Sequence, residues 1–353
     1  MKLKKIVVAI ALVLPAAGAM ACASCGCSLN TDIGTQGMGS SKGWTFDLRY
    51  DNLNQNQLRS GTGTISPSQA VNTINPKTGN PAEVEGFTQN NYVTASLDYN
   101  NGEAWGATVV LPYIMRSHMT YGVDGQSVDG GGWPNGGNGY SSQANGFGDI
   151  KIIGRYFGFA EQKDWGFQFG LKLPTGNNSQ TAVSPNNGLT NVDPGLQLGT
   201  GSTDAIVGVY KFGIIPKTED WGYFGNVQYQ ATIKPTNVPS NIAYILNGNS
   251  SGPSWSYRPG NALNINLGTN YQGWDKWVPT LQFNYLYKTA DSGTAADTWA
   301  TGGTLLYATP GILYKLTDQT LVYANVQLPV YQNVNGIQLT PSFIASMGVR
   351  VHF

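Results

Sequence analysis

The chain has 353 residues, a formal net charge of zero, 11% charged residues, 46 glycines, 19 tyrosines, 12 phenylalanines and 9 tryptophans. Charge this sparse falls below the usual quarter of a soluble domain, a zero balance argues against a nucleic-acid partner, and abundant aromatic and β-branched residues argue against disorder. No internal apolar run approaches the roughly 18 residues of a membrane-crossing helix, and the length admits one large domain or two small ones.

The amino-terminus carries an export address. Lys2, Lys4 and Lys5 precede an apolar run from Ile6 to Leu14, and Ala19-Met20-Ala21 forms a small-residue cleavage site. This pattern predicts a Sec signal peptide over residues 1–21. Its removal leaves the mature chain about three charges negative. The chain's only cysteines, Cys22, Cys25 and Cys27, then follow at once. Three thiolates in a CxxCxC run suit Cu(I) or Zn(II). The competing reading is an oxidised, unliganded or lipid-anchored terminus, although Ala19 stands where a lipoprotein signal usually has Leu. Residues 22–42 read as a Gly/Ser-rich leader and residues 43–353 as a single barrel domain.

From Trp44 onward apolar and polar residues alternate, the period of a strand with two different faces. Trp44, Phe46, Leu48 and Tyr50 begin the series. Runs around 93–99, 105–113, 150–156, 165–173, 205–212, 223–230, 263–271, 281–287, 305–316 and 321–330 continue it. In the run over 205–212 the phase is ambiguous. The last stretch, Leu339–Phe353, alternates except at Ile344. Connections near Asn100–Glu103, Ala160–Lys163, Pro216–Glu219, Gln272–Asp275 and Thr317–Gln319 are short. Those near Asn52–Asn90, Ser117–Asn145, Thr175–Gly201, Lys234–Tyr257, Thr289–Ala300 and Tyr331–Gln338 are long. Strict long–short alternation predicts an all-β fold: a transmembrane antiparallel β-barrel of about 12 strands (range about 10–14), with short periplasmic turns and long extracellular loops. The predicted location is the outer membrane of a Gram-negative bacterium. Trp44, Trp105, Trp165, Trp221, Trp274 and Trp277 fall beside the short turns, as an interfacial girdle requires. Trp133 and Trp255 fall in long connections.

A charge in a spanning strand is costly toward lipid and belongs inside. Asp47, Arg49, Asp98, Lys151, Arg155, Lys172, Lys315 and Arg350 are therefore lumen-lining candidates, with Lys211 of uncertain phase. They predict passage of polar or mildly anionic solutes, or a network of ion pairs that fills a narrow barrel. The Gly-dense stretch Gly122–Gly146 is a candidate plug. Catalysis finds little support. His118 and His352 are the only histidines, and GxSxG, P-loop, HExxH and CxxCH motifs are all missing.

Three short elements, Gly146-Phe-Gly148-Asp149, Leu171-Lys-Leu-Pro-Thr-Gly176 and Leu198-Gly-Thr-Gly201-Ser202-Thr-Asp204, resemble the outer-membrane family named for the MetA pathway of phenol degradation. The resemblance spans about Gly146 to Phe212. It implies a transporter-like barrel associated, in some members, with catabolism of aromatic compounds, and carries over no binding residues. From the residues alone, Asp149 and Asp204 either line the mouth or cap loop backbone, capping being favoured. Phe353 ends the last strand and resembles the signal by which barrel-assembly machinery recognises its clients. The expected partners are outer-membrane lipid, that machinery and a small-molecule solute. The expected function is a channel for small solutes, hydrophobic or aromatic compounds among them. The alternatives are a thiol-terminated barrel in metal or redox partnership and a structural surface barrel.

Overall fold

The computed structural model describes residues 42–77, 79, 81–121, 140–184, 188–238 and 255–353. The expected signal peptide, the Cys22, Cys25 and Cys27 cluster, Trp133 and residues 122–139 of the expected plug lie outside the described residues, as does the side chain of Trp255. No described helix is long and apolar enough to cross a membrane.

In chain order the elements are β1 (Gly43–Gly61), β2 (Gly63–Thr64), α1 (Pro67–Val71), β3 (Glu85–Asn100), β4 (Trp105–Thr120), β5 (Tyr140–Phe147), β6 (Ile150–Tyr156), β7 (Trp165–Leu173), β8 (Thr181–Ser184), β9 (Gly188–Asn191), β10 (Thr203–Ile214), β11 (Trp221–Lys234), β12 (Thr236–Val238), β13 (Trp255–Tyr257), β14 (Ala262–Tyr271), β15 (Trp277–Lys288), β16 (Gly303–Lys315) and β17 (Thr320–His352). The antiparallel ring runs β1, β3, β4, β6, β7, β10, β11, β14, β15, β16, β17 and back to β1. An all-antiparallel ring closes only with an even number of passes, and β17 supplies the missing one. Residues 321–334 pair with β16, whereas residues 337–352 pair with β1. The chain reverses at Asn335–Gly336, where Gly336 has φ +56° and an added Cβ would meet Trp299 O at 2.7 Å. The reversal brings His352 N to Gln319 O at 2.8 Å. The eleven ring strands thus make twelve passes. The expected long connection at Tyr331–Gln338 is instead a tight turn between two strand legs.

Every expected strand is present, and the period-two pattern resolves into a wet inside and an apolar outside. On β7, Phe167, Phe169 and Leu171 are exposed while Gln168 and Lys172 are buried. At the end holding Gly43 and Phe353, Trp44, Tyr99 and Trp105 form one chain of ring contacts, and Trp221, Tyr271 and Trp274 form another. Trp277 packs on Tyr314, and Trp165 on Phe159. These are the girdle positions. On the last leg, Phe343 and Met347 face out while Ser346 and Arg350 face in.

The outer end departs from simple alternation. Leu339, expected on the lipid face, is fully buried in a cluster with Leu58, Ala70, Ala82, Val84 and Ile337. Register shifts between Leu53 and Gln57 accompany this change. Among its described residues the first long connection adds no further pass to the ring, only the two-residue β2 paired back on the end of β1. It folds α1, with a Ser66–Gln69 capping box, as a lid on the end of the wall.

Phe353 N donates to Trp44 O and Trp44 N donates to Phe353 O, both at 2.8 Å. Deleting Phe353 removes this pair at the seam of the ring. Less heat-modifiable barrel on gels and faster periplasmic proteolysis are expected. An unchanged yield of folded barrel would show that the seam forms without it.

Candidate functional site

The inward face near the periplasmic end is a polar network bonded along the wall. Arg155 makes a two-pronged pair with Asp98 at 2.6 and 2.9 Å, and Thr108 donates to the same carboxylate. Arg350 reaches Asp47 at 3.2 Å, Tyr323 Oη donates to Asp47 at 2.9 Å, and Arg49 Nε donates to Asp51 at 2.8 Å. Opposite them Asn226, Asn266, Asn284 and Thr309 form a ladder of side-chain bonds across β11, β14, β15 and β16. Ion pairs in place of lone charges are what a partly dry interior demands.

A second cluster forms halfway along the wall. β5 and β6 both pair with β4, beside Tyr113–Thr120 and Trp105–Val110 respectively. Pro112, which has no N–H to donate, stands at the gap and accepts from Gly148 N at 2.9 Å. The kink turns Asp149 inward. Its carboxylate accepts from Gly176 N (3.0 Å), Thr200 N (2.9 Å) and Lys172 Nζ (3.0 Å). Lys172 also meets Asp204 at 3.2 Å, Ser202 Oγ at 3.1 Å and Thr200 Oγ1. Asp204 in turn accepts from Ser202, Gln230 and Thr232. Gly176 and Gly199 touch backbone to backbone, with no room for a Cβ on either. The three motif elements read from the sequence therefore form one knot, in which Asp149 caps loop backbone at Gly176 and Thr200 as the capping alternative expected, Asp204 binds side chains, and both aspartates also line the chamber beside it.

The chain between β9 and β10 folds inward from this knot. Gln197 binds Val192 O and the backbone of Gln180. Arg116 grips the segment, donating to Gln197 O at 3.0 Å and Gly195 O at 3.4 Å, while its other nitrogens reach Asn90 and Tyr92 Oη. Below the segment lies a chamber enclosing about 1560 Å³ not filled by protein atoms, open solvent included. Part of its wall is apolar, beside the lining side chains of Arg116, Lys172 and Lys288. Tyr92, Ile114, Leu198 and Leu286 belong to one buried cluster with Leu53, Leu305, Tyr307 and Ile344. Its inner wall is polar and includes Arg49 and Lys151. Toward the periplasmic end a second chamber of about 670 Å³, measured the same way, is lined by Tyr323, Arg350 and the Asn284–Thr309 side of the barrel. Arg49 lines both chambers. It stands at the waist.

Of the residues expected inside, Asp47, Arg49, Asp98, Arg155, Lys172 and Arg350 are all buried on the inner face, and half-buried Lys151 lines the larger chamber. Lys315 shares the inward phase of Thr309 and Leu313 but ends its strand exposed, at the periplasmic mouth. Lys211 points outward and pairs with Asp164 at 3.2 Å, its side chain 56% exposed. Ile206 and Tyr210 take the inward phase there, a choice that a run apolar on both faces conceals. The inward segment is 192–200 within the expected long connection Thr175–Gly201. His118 is buried against Thr88 Oγ1 at 2.8 Å. Among the described residues no group of three or more His, Cys, Asp or Glu could hold a metal ion.

Above the lumen, Glu83 accepts from Thr120 Oγ1 at 2.6 Å. Burial, aided by the charges of Asp193 and Glu85, raises the Glu83 carboxyl well above its ordinary range.

No protein-family model matches the chain, and no curated protein matches it by sequence. Among solved structures, the COG4313 outer membrane channel from Pseudomonas putida F1 is similar over 92% of this chain and 100% of that one, at 12% identity and a TM-score of 0.60. This shows the fold, a β-barrel of the kind an outer-membrane channel has. The Ralstonia pickettii toluene transporter TbuX (12% identity, TM-score 0.42, 95% and 97% covered) and the β domain of the Bordetella autotransporter Brka (11%, 0.45, 89% and 100%) are more distant, and no argument rests on them. The expected membership of the phenol-degradation family thus reduces to the coarser statement of an outer-membrane channel fold.

Replacing Asp149 by Ala takes the acceptor from Gly176 N, Thr200 N, Thr200 Oγ1 and Lys172 Nζ and leaves Lys172 to Asp204. A loss of about 1–3 kcal/mol, the cost of an orphaned buried donor, is expected, read from guanidinium unfolding in detergent. The raised Glu83 value favours the protonated form on folding. Its stabilisation is complete below the ordinary value of 4.5 and is lost as pH rises through the folded-state value. Glu83→Gln should therefore slow hydrogen exchange at Tyr121, whose amide binds Val84 O, relative to the parent at neutral pH but not in acid.

Proposed function

We propose that the protein is an outer-membrane channel that admits small solutes with an apolar or aromatic body. The observation that carries this reading is the apolar cluster inside the barrel, under the inward segment and open to a chamber. A barrel that only filled its own lumen would close this space with side chains. Here Tyr92, Ile114, Leu198 and Leu286 present a wall to it. A concave, largely apolar site with a few convergent polar groups is the usual form of a small-molecule site.

The path runs from the outer cap past the Arg116-held segment into the apolar chamber, through the waist at Arg49, and into the polar periplasmic chamber. Paired charges along the wall leave a polar lining without strong single-sign attraction, which suits passive movement. Outer-membrane location, engagement of barrel-assembly machinery through Phe353, and a lining role for Asp47, Asp98, Lys151, Arg155, Lys172, Lys315 and Arg350 belong to the same proposal. The likeness to the COG4313 channel supports it through the fold.

Arg116 is the test. Each charged hydrogen bond it donates contributes about 1.5–3 kcal/mol, so Arg116→Ala should loosen the segment. Faster swelling of proteoliposomes in a small sugar, or a larger mean single-channel conductance, is the expected result. A barrel silent in bilayers, with and without the substitution, would favour a structural role.

A further inference from the structure

Arg49 has a feature that a wall-filling residue lacks. It is 93% buried, at 7% exposure, and its Nε is committed to Asp51 at 2.8 Å. Among the described residues, Nη1 and Nη2 have no hydrogen-bond partner. A guanidinium presents its donors as a planar fork, matched to a carboxylate that accepts two parallel bonds. Arg49 sits where the apolar chamber narrows into the periplasmic one, so a ligand in either chamber meets it. Half-buried Lys151 adds a second positive charge to the same chamber wall. The carboxylates nearest this point are already engaged: Asp51 by Arg49 and Ser346, Asp47 by Arg350 and Tyr323.

The chamber is therefore amphipathic. The lining charges of Lys172 and Lys288 are held by Asp149, Asp204 and Asp291. Tyr92, Ile114, Leu198 and Leu286 offer an apolar patch, and the inner end offers a guanidinium with donors to spare. A neutral hydrocarbon would fill the first and leave the second without an acceptor. A polar anion would satisfy the second and gain nothing from the first. We propose that the lumen binds small amphipathic carboxylates, aromatic acids foremost, with the carboxylate on the Arg49 fork and the ring against the apolar wall. This rests on the channel reading for its purpose, but the binding site is a separate claim.

The test uses the full-length protein in detergent, with benzoate as the anionic probe and benzyl alcohol as its neutral counterpart. Titration calorimetry should show benzoate binding more tightly than benzyl alcohol. Arg49→Gln alone would strand a buried Asp51, so the informative variant is the double substitution R49Q/D51N, with heat-modifiability confirming a folded barrel. Its benzoate affinity should fall by about tenfold to a hundredfold, the equivalent of one charged hydrogen-bonding group, with benzyl alcohol unaffected. Arg49→Lys keeps the charge without the fork and should retain only part of the preference. Equal binding of the two probes by the parent, or undiminished benzoate affinity in the folded double variant, would overturn the proposal. Benzoate binding by a barrel that passes no current would instead remove the channel reading and leave the site standing.

Discussion

The Lys172 ammonium, buried between Asp149 and Asp204, is the interaction on which the rest of the barrel depends. A charge taken out of water must be paired and hydrogen-bonded or it destabilises its surroundings. Here the pairing draws in residues from three separated segments. Asp149 holds the backbone of Gly176 and Thr200, and Asp204 gathers Gln230 and Thr232 from the next strand. One charge thereby sets where β6 starts, where β7 stops, where β10 starts, and at what depth the chain between β9 and β10 turns into the lumen. The contact of Gly176 with Gly199 belongs to the same constraint, because a Cβ on either would force the segments apart.

With the wall fixed, the interior divides by polarity. Charges toward the periplasmic end pair with neighbours on the same or nearby strands, as in Arg155–Asp98 and Arg350–Asp47. Such pairs do not cross the lumen and do not close it. Above them one layer of inward positions is apolar and the Arg116-held segment covers it, while further out the inward side chains are polar again, as at Gln55, Asn90 and His118. A space walled partly by hydrocarbon and partly by hydrogen-bonding groups can orient a solute as it passes. Arg49, at the boundary, is the residue best placed to do so.

Much of this was legible in the chain itself, and the misfits carried as much as the pattern. Ile344 interrupts an otherwise clean alternation because it lies on the inner face, in the apolar cluster with Leu53 and Tyr92. Leu53, two residues beyond Asp51 on β1, takes the same inward phase in the structure. Lys211 could not be placed from sequence. Ala205 to Tyr210 is apolar in both phases, so neither face announces itself. The inward segment was equally hidden. Its glycines, prolines and amides look like any outer loop, and only Arg116, eighty residues earlier in the chain, shows that it is held inside.

By itself the sequence determined the architecture. Period-two alternation, sparse charge, tryptophans beside short turns and alternating connection lengths specify strands, their faces and the end at which they turn, because each is a local consequence of a strand between lipid and water. The tertiary structure alone decided which charges meet, that the last two passes join by a tight turn at Asn335–Gly336, that the outer end is capped by the first long connection, and that the lumen has two chambers with Arg49 between them. These depend on shear and closure, which bring together residues far apart in the chain. No local pattern encodes that.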